Sequence, residues 1–472
     1  MAQEITLSAK DGDQQVVGTL TEYDGEFYRV ETEFGPVTID ARTVTCAGPT
    51  CPEVSDEIET FNVMGDPTIT LPLIEAFALF QGGDVSIANG DPQIVTVTTS
   101  SGDVLAQVTI MEGSVDGLRD ESNSIWFSTL PAPDPSRAQI VGLDAVILAT
   151  SDVNPVSAIT LDQIRAVLNG SITNWKDLGG GDIAVNVHAA EGDAGFQAQV
   201  TSLGLEPSAG ANVTRHARMK DAVDAVANDP FGLAVVPFSG LRTARAMGLR
   251  GTCGMHNEAS VFSVQSGAYP RQFALSVSKP NQRLPLFARE FLGFLETEQA
   301  QSVIADLGIS SQGLNTQGQR LANTMIIIGK EVPLADVREM TGIMSGGQLL
   351  SATFRFEGNS AQLDGPSKEN AEALVDGIVL GNYADKVMYL IGFSDGEGRA
   401  RQNKSLSKEQ AEAVLAALTS SAPEGALDDV TIEVRGYGEA SPLVCEDTAS
   451  DTQINRRVEV WVKDWTAPVP AE

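Results

Sequence analysis

Between residues 3 and 45 apolar and polar positions alternate in short stretches: ITLSAK, QQVVGTLTEY, EFYRVETEF and PVTIDA. Asp11-Gly12, Asp24-Gly25 and Gly35-Pro36 punctuate them, and alternation broken by such turn pairs predicts a β meander. A meander this short builds little core by itself, so residues 1–55 are expected to form a small, barrel-like cap. Over 56–312 apolar runs alternate with amphipathic segments, the pattern of an α/β domain. ETFNVMG reads as a strand, and DPTITLPLIEAFALF as a helix with Ile69, Leu73, Ile74 and Phe77 on one face. AVILAT, GLAVVPF and FALSVS are buried-strand candidates. In TLDQIRAVLNG, Thr160 is placed to cap a helix and Gly170 to end it. LPLFAREFLGFLETEQAQSVIADLG reads as one long helical stretch ended by Gly308.

Residues 313–349 are expected to be a connector, helical over LADVREMTGIM and closed by the SGGQ boundary. Residues 350–464 form a second α/β unit. Its strands are LLSATFRF, KVMYLIGFS, DVTIEVRGYG and RRVEVWV. Its helices align Ala371, Leu374, Val375, Ile378 and Val379, then Ala411, Val414, Leu415 and Leu418. Such a run predicts helices on one sheet face. Residues 465–472 read as a frayed tail.

Composition narrows the function. A chain of 472 residues holds two to four domains. With 31 Lys+Arg against 63 Asp+Glu the formal charge is −32, which argues against nucleic acid and anionic lipid as partners. No run approaches the roughly 18 apolar residues of a membrane span; the stretch around Ile326, Ile327 and Ile328 is too short. The four Cys and three His lack metal-ligand spacing, so no metal is expected. There is no G-x-S-x-G elbow, HExxH or P-loop. Gly179-Gly180-Gly181 is a turn without the Lys of a phosphate cradle. Neither an enzyme nor a cofactor is expected.

The start, Met1-Ala2-Gln3-Glu4, has no basic region and no apolar stretch. Either the protein is cytosolic or a signal peptide has been removed. Cysteine usage favours removal: Cys46 and Cys51 in TCAGPTCP sit in a turn that can bring them together. Four free buried thiols are the alternative.

The segment IGFSDGEGRARQNKSLSKEQAEAVLAAL, then VRGYGEASPL and NRRVEVWV, preceded by FRFEGNSAQLD, resembles the OmpA-like peptidoglycan-associated domain over about 350–464. In that family an Asp and a helix Arg clamp the peptide stem of peptidoglycan. The resemblance implies Asp395 for the Asp, Asn403 for the Asn before the helix, and Arg456 and Arg457 for the closing arginines, usually structural. The clamp Arg falls on Gln410. Losing a guanidinium removes a bidentate carboxylate contact, so an OmpA-like fold that no longer binds wall is the competing expectation. Arg399, Arg401 and Lys408 are candidate substitutes.

LDQIRAVLNGSITNWKDLGGGD, with SDVNPVS before it and SGAYPRQFALSV and FLETEQAQSVIADLGI after it, resembles periplasmic solute-binding proteins of the phosphate ABC transporter type over about 58–312. The resemblance implies two α/β lobes, with the chain crossing near 141–146 and 258–264 and an anion held at helix N-termini. Its ligand loops fall on Gly65-Asp66-Pro67-Thr68-Ile69, on Ser100-Ser101-Gly102, on Ser128-Thr129 and near Glu191 to Phe196, where Ala194-Gly195-Phe196 stands for the family's Ser-Gly-Thr and Ala194 and Phe196 replace its hydroxyls. The family Arg is missing from HAAEGDAGF, and Asp66 and Asp193 add carboxylates. Two acids with no cation oppose a phosphate dianion by about 4 kcal/mol per close pair at an effective dielectric of 20. His188 is either a cation for the site or a packed strand residue. Trp126 lines the cleft or belongs to the core.

The implied whole is an α/β multidomain protein: a small N-terminal β domain, a two-lobe periplasmic-binding-protein-like domain and an OmpA-like domain. It is expected in the periplasm of a Gram-negative cell, near the wall or outer membrane. The expected partners are a small solute (phosphate or another polar ligand), peptidoglycan and an ABC permease. A structural wall protein with no solute is the second reading. If all thiols are oxidised and Cys46 pairs with Cys51, Cys253 must pair with Cys445 and staple two domains.

Overall fold

The computed structural model describes residues 4–464 apart from 11–13, 53–57, 89, 91, 112–122, 131, 133, 135–136, 191–193, 209, 281, 312–313, 315, 319–331, 359 and 429. The chain divides into two compact units. One comprises 1–127 with 279–300, the other 128–278 with 301–472. It passes between them at Phe127–Ser128, Ser278–Lys279 and Ala300–Gln301. Strand Ala138–Thr150 changes partners at 145–146: Ala138–Ala145 pairs antiparallel with Gln272–Ser278 and Val146–Thr150 antiparallel with Gly232–Pro237, whereas Val261–Gln265 is a short helix.

In the first unit, strands Glu4–Ala9, Gln15–Tyr23, Phe27–Thr32, Gly35–Asp40 and Val44–Ala47 form an antiparallel five-stranded sheet. Its core is small: Ile5, Leu7, Tyr28, Val30 and Ala41. A disulfide joins Cys46 and Cys51. Glu26 ties this sheet to the rest of the unit through Arg283 and Arg289. A second sheet carries Glu59–Met64 parallel to Ser124–Ser128 and to Val104–Met111, continued by the antiparallel strands Gln93–Thr98 and Asp84–Ala88. Helix Pro67–Phe80 buries Leu73, Ile74 and Phe77, and Phe77 meets Phe287, Phe291 and Phe294. Trp126 is core, 3% exposed. The expected long helix is two, Leu286–Phe294 and Glu298–Asp306. Thr297 makes the break: its hydroxyl donates to the Phe294 carbonyl and accepts the Ala300 N–H.

The second unit holds two α/β layers. The first orders strands Val213–Arg215, Asn186–Ala189, Gly232–Pro237, Ala138–Thr150 and Gln272–Ser278. Helix Leu161–Leu168 begins at Thr160, the expected cap, which forms a full capping box with Gln163. Trp175 fills the core and donates its indole N–H to the Phe231 carbonyl. The second layer orders Thr316–Gly318, Gln348–Phe354, Arg457–Asp464, Lys386–Phe393 and Thr431–Gly436, with only the last pair parallel. Helices Gly365–Val379 and Ala400–Ser421 cover one face over Leu350, Leu374, Leu390 and Leu418. Val379, expected in this core, is exposed. The connector helix Leu334–Met344 places Met340 and Met344 against Ile391, Phe393, Tyr437 and Trp461. Alternation along Lys386–Phe393 sends Ile391 and Phe393 to the face opposite Leu390, so helices lie on both faces rather than one. The residues of the Ile326 run lie outside the described set.

Asp144 sits buried in strand Ala138–Thr150. Its carboxylate accepts the Ser239 hydroxyl and N–H and the Ala145 N–H, yet burial pushes its pKa up to about 6 from 3.8. A carboxyl whose folded pKa is raised stabilises fully below its unfolded pKa, and this contribution is lost as pH rises through the folded one. The gap corresponds to about 3 kcal/mol. Chemical denaturation at pH 4 and pH 7 should therefore show Asp144→Asn flattening the stability profile relative to wild type. A wild-type-minus-variant difference that stays constant over this window contradicts the assignment.

Candidate functional site

The first candidate loop follows strand Glu59–Met64. Gly65 holds φ +150°, and a Cβ there would lie 2.9 Å from the Phe127 Cβ, so glycine is required. The next four residues use up the helix N-terminus from within. Pro67 has no N–H. The Asp66 carboxylate accepts the Thr68 N–H at 2.8 Å and the Thr68 hydroxyl at 2.7 Å. The Ile69 and Thr70 N–H groups both donate to the Asp66 carbonyl at 3.0 Å. An exposed helix start with free donors attracts anions; here Asp66 supplies the anion itself.

Ser100 and Ser101, expected beside this loop, lie at the other end of the sheet. They occupy the turn between Gln93–Thr98 and Val104–Met111, whose last residue pairs with Met64. The parallel register runs over five residue steps from Ala106 to Met111, about 17 Å of strand, so the turn joins the N-terminal end and Gly65 the C-terminal end. Ser101 is engaged within the turn by Thr99 and Asp103.

Ser128 accepts the Leu130 N–H at 3.0 Å. The Thr129 carbonyl accepts from Gln199 of helix Ala194–Ser202 at 3.0 Å. These two candidate segments, 128–129 and the helix that starts at Ala194-Gly195, therefore do come together. The Thr129 hydroxyl is buried with no partner, and an unsatisfied buried hydroxyl costs about 1–3 kcal/mol. Asp193 lies outside the described residues.

His188 is a packed strand residue with both ring nitrogens engaged, Nδ1 at 3.0 Å from His216 and Nε2 at 3.1 Å from Asp229. Burial pushes the Asp229 carboxyl up, but the Phe231 N–H, the Asn186 amide and His188 together hold it below its ordinary value. No group of metal-ligating side chains suited to an ion occurs among the described residues.

In the second layer Asp395 and Asn403 are buried together, and Asn403 donates to the Asp395 carbonyl at 3.3 Å. The Asp395 carboxylate is already neutralised. One oxygen accepts the Glu397 N–H at 2.9 Å and the other pairs with the Arg456 guanidinium. Gln410 is buried, donating to the Ser360 carbonyl at 2.9 Å, with its amide oxygen unpartnered. None of the three candidate substitutes makes a described contact with Asp395: Lys408 pairs with Glu412 at 3.1 Å, and Arg399 and Arg401 are exposed. The Arg456–Asp395 contact had no signal in the sequence, because it depends on where helix Ala449–Asn455 ends.

A disulfide joins Cys253 to Cys445. Around it Thr252 bonds Asp447, Asn257 donates to the Leu443 carbonyl at 2.8 Å, and Arg271 pairs with Asp451 at 2.9 Å. Arg355 is half-buried, and desolvation lowers its pKa to about 10. It donates to the Gln453 and Ile454 carbonyls and, at 2.6 Å, to that of Gly267. A Cβ on Gly267 would meet this guanidinium at 2.6 Å. The two α/β layers of the second unit are thus joined covalently and by partly buried polar contacts.

Comparison with known proteins places both layers. Residues 355–456 match the OmpA family, and residues 134–270 match a PBP superfamily domain. The phosphate-binding protein PstS of Bacillus subtilis is 27% identical over 224 residues, 47% of this chain and 71% of that protein. The probable lipoprotein YiaD of Escherichia coli is 30% identical over 137 residues, 28% of this chain and 60% of that protein. A solved phosphate ABC transporter substrate-binding protein from Clostridium perfringens superposes with TM-score 0.40 at 17% identity, covering 54% of this chain and 99% of that one. No helix among the described residues is long and apolar enough to cross a membrane. The chain is therefore a multidomain α/β protein in which residues 134–270 are similar to a PBP superfamily domain and residues 355–456 to the OmpA family.

Proposed function

We propose that this protein is a solute-binding protein of the cell envelope, related to phosphate-binding proteins but changed in ligand, and held at the wall through its OmpA-family domain. The presence of the two domains in one chain carries this reading. It is a binding protein rather than an enzyme, like the relatives it resembles. The two disulfides suit an oxidising compartment, the periplasm. Change of ligand is supported by Asp66, whose carboxylate engages the donors that an anion would need, and by the unpartnered Thr129 hydroxyl. A small hydroxylated or zwitterionic solute suits these groups better than a phosphate dianion. Anchoring favours local capture or sensing; delivery to an ABC permease is the transport form of the same role. One observation favours a purely structural wall protein instead: the Asp66 helix start keeps no free donor in its first turn.

The test has two arms. Calorimetric titration of the intact protein with phosphate, amino acids and sugars should find a solute whose binding Thr129→Val weakens. If no solute binds, the structural reading stands. Sedimentation with peptidoglycan sacculi should show weak binding by the wild type and binding about 10- to 100-fold tighter for Gln410→Arg, since the guanidinium restores charge-assisted bonds of about 1.5–3 kcal/mol each. Equal sedimentation of both proteins, at any level, would refute the clamp assignment.

A further inference from the structure

Beside the Cys253–Cys445 disulfide the second unit has a half-open cleft of about 240 Å³, with walls from both of its α/β layers. Neither the candidate solute loops nor the Asp395 cluster contributes to it. Two cations line it without being used up. Arg271, 9% exposed, has one guanidinium nitrogen on the Pro270 carbonyl and Asp451, but its Nε is buried with no partner. Arg250 lines the same cleft, and its side chain has no hydrogen-bond or ion-pair partner among the described residues. The capped start of helix Leu161–Leu168, at Thr160, adds the positive end of a dipole.

Carboxylates also line the cleft, and each is engaged. Asp451 holds Arg271 and the Thr448 hydroxyl, Asp447 holds the N–H and hydroxyl of Thr252, and Asp162 pairs with Arg165. The uncompensated groups are donors: a buried N–H and a whole guanidinium. In a chain of net charge −32, an unpaired guanidinium beside an orphaned buried guanidinium N–H calls for an acceptor with negative charge. We propose that this cleft is a second binding site, for a small oxyanion, a carboxylate or phosphate group held between Arg250 and the Nε of Arg271.

Titration calorimetry on the intact, oxidised protein tests this with inorganic phosphate and, separately, malonate. Saturable binding of at least one is expected. Arg250→Gln should weaken it about 10- to 100-fold, the effect of one charge-assisted contact, and Arg250→Lys should restore part of it. Arg250 is exposed, so these variants keep the fold, and the Arg271–Asp451 pair is left intact. Phosphate alone, malonate alone or both identify the oxyanion. Thr129→Val should leave this binding unchanged, which separates it from the solute loops. Absence of binding by both ions, or binding that Arg250→Gln does not weaken, overturns the proposal.

Discussion

Replacing Cys253 and Cys445 together by serine should lower the unfolding free energy of the intact protein by about 3–5 kcal/mol. The bond closes 192 residues of sequence, and chain-entropy arguments put such a closure near 5 kcal/mol, less any residual structure in the unfolded chain. Cys46–Cys51 spans a separation of 5, for which the same argument gives about 2 kcal/mol. Removing the long bridge should therefore cost about 3 kcal/mol more than removing the short one. The remaining joint is polar: Arg271–Asp451, Thr252–Asp447, Asn257 on Leu443 and Arg355 on Gly267. Once the covalent link is gone these contacts must pay the docking entropy alone, so the OmpA-family domain should unfold as a separate step. Guanidinium denaturation followed by two probes, fluorescence and far-ultraviolet circular dichroism, reads this out. A single transition at the wild-type midpoint in the Cys253→Ser/Cys445→Ser variant would mean that the polar joint is sufficient without sulfur.

How far the sequence could be read followed the range of the interactions involved. Thr160 was legible as a cap because its partner Gln163 is three residues away. The core faces of the helices were legible for the same reason, with Leu374 and Leu418 buried as the 3.6-residue period requires. Thr297 cut an apparently continuous helix because a hydroxyl can satisfy backbone groups on both sides of a break, an alternative that periodicity does not register. The placement of Ser100 failed because a loop resemblance does not determine which end of a parallel pair a turn occupies; register does. The same limit applies to Asp395. Its residue type was legible, but its neutralisation by Arg456, 61 positions away, depends on tertiary packing. The pairing of Cys253 with Cys445 followed from elimination only if all four thiols were oxidised, and the carbonyl and carboxylate contacts around it had no local pattern at all.

Arg457→Ala should be among the most damaging single substitutions in the OmpA-family domain, at about 3–5 kcal/mol. Arg457 is fully buried in the first position of the last strand. Its guanidinium stands 4.3 Å from the centre of the Phe393 ring. It donates to Glu459 at 2.7 Å, to the Asn455 carbonyl at 3.0 Å and to the Ser441 carbonyl at 2.9 Å. Burial lowers its pKa, opposed by the charge and hydrogen bond of Glu459. Truncation leaves a cavity and strands a nearly buried carboxylate, which keeps only the Trp461 indole at 2.8 Å; breaking a buried pair on one side typically costs this much. Removing both charges while keeping the volume is a different perturbation. Arg457→Met with Glu459→Gln refills the space over Phe393 and leaves no uncompensated ion, so this double variant should recover most of the loss. Equilibrium denaturation of the wild type, the alanine variant and the double variant separates the two causes. If the double variant is as unstable as Arg457→Ala, the stabilisation lies in the carbonyl contacts to Ser441 and Asn455, and Arg457 acts as a clasp on those loops rather than as half of an ion pair.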